Sequence, residues 1–111
     1  MASTKYAKQF DVYWVALDPT KGSEIQKTRP CVVVSPNEMN EALRTIMIVP
    51  LTSTIIDWPF RVTITSTAKK SSAACDQLRM IAKERLRGKI GTLSPADQKL
   101  ILNILQAIFS E

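Results

Sequence analysis

The apolar residues of this chain arrive in runs no longer than a strand, and only the last run repeats with helical spacing. Asp11–Leu17 (DVYWVAL) is rich in aromatic and β-branched residues and predicts a first strand. Cys31–Ser35 (CVVVS) is apolar throughout, the pattern of a strand buried on both faces. Thr45–Leu51 predicts another strand, broken near its end by Pro50. Phe60–Ser66 alternates strictly, placing Phe60, Val62 and Ile64 on one face. Ala73–Ile81 and Lys89–Leu93 predict two more strands, with Gly88 and Gly91 as turn or bulge positions. Ser35-Pro36-Asn37-Glu38 has the form of a capping box opening a short helix to about Leu43. At the end, Ser94 caps a helix that Pro95 starts, with Leu100, Ile101, Ile104, Leu105 and Ile108 as its apolar stripe. Short strands followed by one amphipathic helix are satisfied by a strongly bent antiparallel sheet or small barrel that the helix seals.

The 111 residues suffice for one domain, 11–111, behind a polar and flexible N-terminus over 1–10. A chain of this size buries about two-thirds of its unfolded surface, enough for one core without staples. No run is long enough to cross a bilayer, and MASTKYAKQF has no export-signal pattern, so the cytoplasm is the expected compartment. Fifteen Lys and Arg against ten Asp and Glu give a net charge of +5, which suits a polyanionic partner and also an ordinary soluble surface. There is no histidine, so acid–base chemistry falls to Asp, Glu, Arg, Lys, Tyr or Cys. Cys31 and Cys75 both lie in apolar surroundings, as buried free thiols do, and two cysteines alone make no zinc site.

Four segments carry candidate chemistry. Arg29 precedes Pro30 and is therefore held extended at the mouth of a buried strand, a suitable fixed cation for a phosphate. The commoner use of such a residue is a surface pair, here with Glu24 or Asp18. The hydroxyls of Thr52, Ser53 and Thr54 can bond phosphate oxygens or nearby backbone. Asp76 and Gln77 interrupt an apolar strand, either as a hydrogen-bond node or as part of a site. Lys83–Lys89 packs Lys83, Arg85, Arg87 and Lys89 into one stretch, an electrostatic footprint for nucleic acid or a solvated turn. Tyr13, Trp14, Trp58 and Phe60 supply aromatic faces for base stacking, although strand alternation should turn Tyr13 or Trp14 inward.

In order along the chain, Asp11-Val12-Tyr13-Trp14, Leu17-Asp18-Pro19-Thr20-Lys21-Gly22-Ser23-Glu24, Thr28-Arg29-Pro30, Val49-Pro50-Leu51-Thr52-Ser53, Trp58-Pro59-Phe60 and Asp76-Gln77-Leu78-Arg79 resemble the MazF/PemK toxin family. The resemblance implies a small barrel of about five to seven antiparallel strands, related to SH3-like and CcdB-like folds and sealed by a C-terminal helix. It implies a homodimer that cleaves single-stranded mRNA sequence-selectively, without metal or other cofactor, and is silenced by a MazE/PemI-like antitoxin in the same groove. Carried over residue by residue, it makes Arg29, Thr52 and Glu24 catalytic candidates. Lys21, Ser53, Trp58, Asp76, Gln77, Arg79, Arg85 and Arg87 become RNA-binding candidates.

This chain departs from the family pattern in three places. Phe10-Asp11 stands where many members have Gly-Asp, Ala73-Ala74 where some carry a basic residue, and no histidine lies near the first loop. Two rival functions share parts of the pattern: a CcdB-like toxin that binds DNA gyrase without cleaving anything, and an inactive RNA-binding relative.

Overall fold

A computed structural model describes residues 6–17, 28–67 and 69–110. Among the described residues there are seven strands: β1 (Asp11–Ala16), β2 (Thr28–Val33), β3 (Thr45–Thr52), β4 (Arg61–Ile64), β5 (Ser71–Ala74), β6 (Arg79–Ala82) and β7 (Leu86–Thr92). Two helices accompany them, α1 (Asn37–Ala42) and α2 (Pro95–Ile108). All pairings are antiparallel, and the ladder runs β4-β5-β3-β2-β1-β7, with β6 also on β3. The expected antiparallel strands and C-terminal helix are present, and the ladder is an open one.

Both faces of the central strands are buried. Val12, Val32, Val49 and Leu51 join Val62, Ile64, Ala73, Leu93 and Ile101 in one cluster. Val15, Cys31, Val33, Ile46, Ile48 and Ile81 form a second. Successive residues of a strand point to opposite faces, so Cys31-Val32-Val33 needs apolar side chains at every position.

Pro50 does not break its strand, contrary to expectation. β3 runs on to Thr52, with Pro50 opposite Cys31. On its other side β3 pairs with β6 as far as Ile48 and with β5 from Leu51, so the residue without an N–H falls where the strand changes partners. The expected single strand Ala73–Ile81 is two strands, β5 and β6, separated by a 3-10 turn at Cys75–Gln77. Their registers on β3 differ by three residues, the length of that turn, which lifts Asp76 and Gln77 into solvent while Cys75 stays buried. In β7 two register irregularities fall beside Gly91 and across Arg87-Gly88, as the glycine positions predict.

Ser35 does not cap α1. Pro36 occupies the cap position with no side-chain hydrogen bond, and Ser35 is buried. Its hydroxyl donates to Asn40 Oδ1 and accepts from Met47 N at 3.0 Å, so β3 takes the oxygen the helix would have used. Asn40 in turn donates to the carbonyls of Ala7 and Ser35 at 3.1 and 3.0 Å. Part of the stretch expected to be flexible is thereby docked: Ala7 and Phe10 are buried, and Gln9 bonds Asn37 and Val34.

Phe10 has φ 74°, the left-handed region that costs a bulky side chain about 1 kcal/mol or more. Glycine is the natural occupant of such a position, which is the family's Gly-Asp pattern. Here two backbone bonds over-determine the conformation. Phe10 N donates to Val33 O at 2.6 Å, and Leu93 N donates to Phe10 O at 3.0 Å. Burial of the ring in the first cluster offsets the strain.

Helix α2 is capped as expected, with Ser94 Oγ accepting from Asp97 N at 3.2 Å. Of the predicted stripe, Ile101 is fully buried and Ile104, Leu105 and Ile108 pack against the core, whereas Leu100 is 47 % exposed. Leu102 takes its place, because the sheet meets the helix slightly to one side of the stripe. Phe60, expected on one face with the buried Val62 and Ile64, is also exposed, since β4 begins only at Arg61.

Candidate active site

A cleft of about 400 Å³ opens where the ends of β2 and β3 meet the segment leading into β5. Its lining brings together Arg29, Thr52 and Ser53, three of the residues singled out in the sequence. The local reason is register. Cys31 pairs with Pro50, and Arg29 and Thr52 each lie two residues beyond that pair, at the same end of the two strands. Pro30 fixes the backbone beside Arg29 and pairs with Trp14 of β1. Trp14, Pro30, Leu51 and Ile90 give the cleft an apolar wall on which a base can lie. Of the two aromatics on β1, Tyr13 is the one turned inward, packed against the second core cluster, and Trp14 is exposed at the cleft.

Arg29 is exposed, and among the described residues no carboxylate lies within ion-pair distance of it. Glu24, Asp18 and Lys21 fall outside the described residues. The Thr52 hydroxyl donates to Thr54 O at 3.0 Å. A hydroxyl has one proton, so a phosphate oxygen that takes it must displace the Thr54 carbonyl.

Several lining residues were not singled out by sequence reasoning: Thr67, Lys69, Lys70 and Ser71. Their signal was the run Thr63–Ser72 (TITSTAKKSS), dense in hydroxyls and cations, of which only Thr63–Ser66 was read, as the end of a strand.

The other expected RNA-binding residues do not line the cleft. Asp76 is held by Arg61, whose Nε donates to Oδ1 at 2.8 Å and Nη2 to Oδ2 at 3.3 Å. That guanidinium lies 5.1 Å from the centre of the Trp58 ring. Hydrogen bonding from Arg61 lowers the Asp76 pKa from the usual carboxylate value. Gln77 is exposed on the same turn. Arg79 lies on β6 opposite Ile48. Arg85 Nη1 donates to Ala16 O at 3.2 Å at the end of β1, and Arg87 Nη1 donates to Glu84 O at 2.7 Å at the turn into β7, so both brace backbone.

Neither cysteine is a candidate nucleophile. Burial pushes the Cys31 thiol up to about 12, although Arg79 and Arg29 nearby pull the other way. Burial and the Asp76 charge push Cys75 up to about 11. Both are free and keep their protons at neutral pH. The described residues contain no group of three His, Cys, Asp or Glu side chains placed to hold a metal ion.

An open seven-stranded antiparallel sheet, a sealing helix and a cleft lined with Arg, Lys, Ser and Thr define a small protein with the chemistry to engage anions. The comparisons with known proteins narrow that class. Residues 8–109 match the family model of the PemK-like, MazF-like toxins of type II toxin–antitoxin systems. The chain is 39% identical over 100 residues to the endoribonuclease toxin MazF of Escherichia coli K12, covering 86% of this chain and 89% of the relative. It is 37% identical over 97 residues to the endoribonuclease MazF9 of Mycobacterium tuberculosis, covering 78% of this chain and 82% of the relative. Among solved structures, MazF of Deinococcus radiodurans superposes with a TM-score of 0.80 at 20% identity, over 95% of this chain and 97% of that one. A mycobacterial endoribonuclease in complex with its cognate antitoxin superposes with a TM-score of 0.77 at 22% identity, over 91% and 92% of the two chains. The chain belongs to the PemK/MazF family of type II toxins.

Proposed function

We propose that this toxin is an endoribonuclease that cleaves single-stranded mRNA by in-line attack of a 2′-hydroxyl on the adjacent phosphate. RNA supplies its own nucleophile, so neither a metal nor a covalent enzyme intermediate is required. The 2′-oxygen bonds to phosphorus and gives up its proton, the 5′-oxygen leaves and takes one, and the products are a 2′,3′-cyclic phosphate and a 5′-hydroxyl. The protein must hold the phosphate in line and neutralise charge on the five-coordinate centre.

The observation that carries this reading is that Arg29 and Thr52 line one cleft. Arg29 takes the role of charge stabiliser, since a guanidinium gives up its proton too reluctantly for general acid work. Thr52 turns from the Thr54 carbonyl to a phosphate oxygen, and Ser53 stands beside it. Glu24 is assigned as base or as the group that orients Arg29, and Lys21 as a contact of the RNA backbone. The endoribonuclease names of the two curated relatives favour this reading over a CcdB-like gyrase poison. The antitoxin, a MazE/PemI-like chain, occupies the same groove, and the active species is a homodimer acting in the cytoplasm.

The test is purified protein with a defined transcript in EDTA. Wild type should yield cyclic phosphate ends, and Arg29→Ala should lose about 10²–10³-fold in rate with an unchanged melting temperature. Intact RNA with wild type, or full activity in Arg29→Ala, overturns the proposal.

A further inference from the structure

The segment between β4 and β5 brings cations and hydroxyls to the cleft that the Arg29–Thr52 chemistry does not use. Thr67, Lys69, Lys70 and Ser71 line the wall shared with Arg29 and Thr52. The segment is tied down at both ends. At its start, one oxygen of the buried Asp97 on α2 accepts from Thr65 N at 3.2 Å, Ser66 N at 3.1 Å and Ser66 Oγ at 2.6 Å. Ser66 Oγ also accepts from Ser94 N at 3.1 Å, so the start of the helix clamps the turn from both sides. At its end, Ser71 pairs with Ile64 in the sheet.

Two further observations point to a ligand. The hydroxyl of Ser71, in the cleft wall, is buried with no hydrogen-bond partner among the described residues, and so is that of Ser72 beside it. Buried hydroxyls are nearly always paired, so these are unspent donors. Lys69 and Lys70 are exposed with no carboxylate within ion-pair distance among the described residues.

We propose that Lys69, Lys70 and Ser71 form a second phosphate subsite, which binds the RNA backbone phosphate neighbouring the scissile one. The proposal rests on the reading of the chain as an RNA-cleaving enzyme. Two cationic stations on one cleft would set the direction in which the strand lies and make short substrates poor ones.

The experiment is binding of an uncleavable 2′-O-methyl oligoribonucleotide across a salt series. Losing one or two phosphate contacts in Lys69→Ala/Lys70→Ala should flatten the log–log salt slope by about 0.7–1.4 and weaken binding about tenfold. Ser71→Ala should weaken binding by a smaller factor and leave the slope alone. Lys99→Ala, exposed on α2 and outside the cleft, is the charge control and should change neither. In cleavage, the kcat/KM loss of the double lysine variant should be larger for an oligomer than for a dinucleotide carrying one phosphate. A wild-type slope in the double variant, or an equal flattening in Lys99→Ala, overturns the subsite. Wild type that binds the oligomer with the expected slope yet fails to cleave the 2′-hydroxyl version would instead sink the nuclease reading and leave the subsite standing.

Discussion

Asp97→Asn removes a charge and keeps a shape, and its cost can be worked from three bonds. The carboxylate is 4 % exposed and one oxygen accepts from two amides and a hydroxyl. Hydrogen bonds to a charged acceptor contribute about 1 kcal/mol more than neutral ones. The asparagine carbonyl can still accept, and the three bonds share one oxygen, so the loss falls below the simple sum. The third position of α2 adds about 0.5 kcal/mol for an anion beside the helix N-terminus. The expected loss is about 2 kcal/mol, or about 8 °C in melting temperature for a domain of this size. Asp97→Ala leaves the same donors without an acceptor and should cost about 4 kcal/mol. The assay is thermal unfolding by circular dichroism, with amide exchange of Thr65 and Ser66 measured in parallel. Those two amides should exchange faster in the asparagine variant than the β1–β2 ladder does. An asparagine variant melting within about 2 °C of wild type, with Thr65 and Ser66 still protected, would refute the claim that this carboxylate holds the loop.

Other consequences follow from the same geometry. Arg29→Lys keeps the charge but loses the planar fork, so it should recover only part of the Arg29→Ala loss in single-turnover cleavage at saturating RNA. Phe10→Gly relieves the positive φ by about 1 kcal/mol but removes a buried ring worth about 3 kcal/mol, and should lower stability by about 2 kcal/mol in urea unfolding. Both thiols are raised in the folded chain, to about 12 and about 11, so the unfolded chain deprotonates first. Stability is therefore full below the ordinary thiol pKa and falls as pH rises above about 9, readable as a dropping melting temperature that Cys31→Ser/Cys75→Ser should flatten. Asp76 is shifted the other way by Arg61, so its contribution is present at neutral pH and lost as pH falls through and below the usual carboxylate range. Asp76→Asn should flatten the acid limb of the same melting curve.

The sequence carried the strands and the terminal helix because their signals are local. Alternation in VTI of β4, the unbroken CVVVS and the Ser94-Pro95 cap each report on neighbours along the chain. It misread the places where a distant partner outbid the local preference. Ser35 gave its hydroxyl to β3 instead of capping α1, and Pro50 stayed within a strand because β3 changes partners there. Asp76 and Gln77 looked buried in an apolar strand, yet a three-residue slip in register put them outside.

Of the candidate site, residue types and the Arg29-Pro30 constraint were legible in the chain alone. Which of them share a cleft was not, because Arg29, Thr52 and Ser71 meet only through the β2–β3 and β3–β5 pairings and the clamp from Asp97. Periodicity and turn chemistry report interactions a few residues apart. Placing two cationic stations across one groove depends on pairing register between distant segments, which exists only once the sheet has formed.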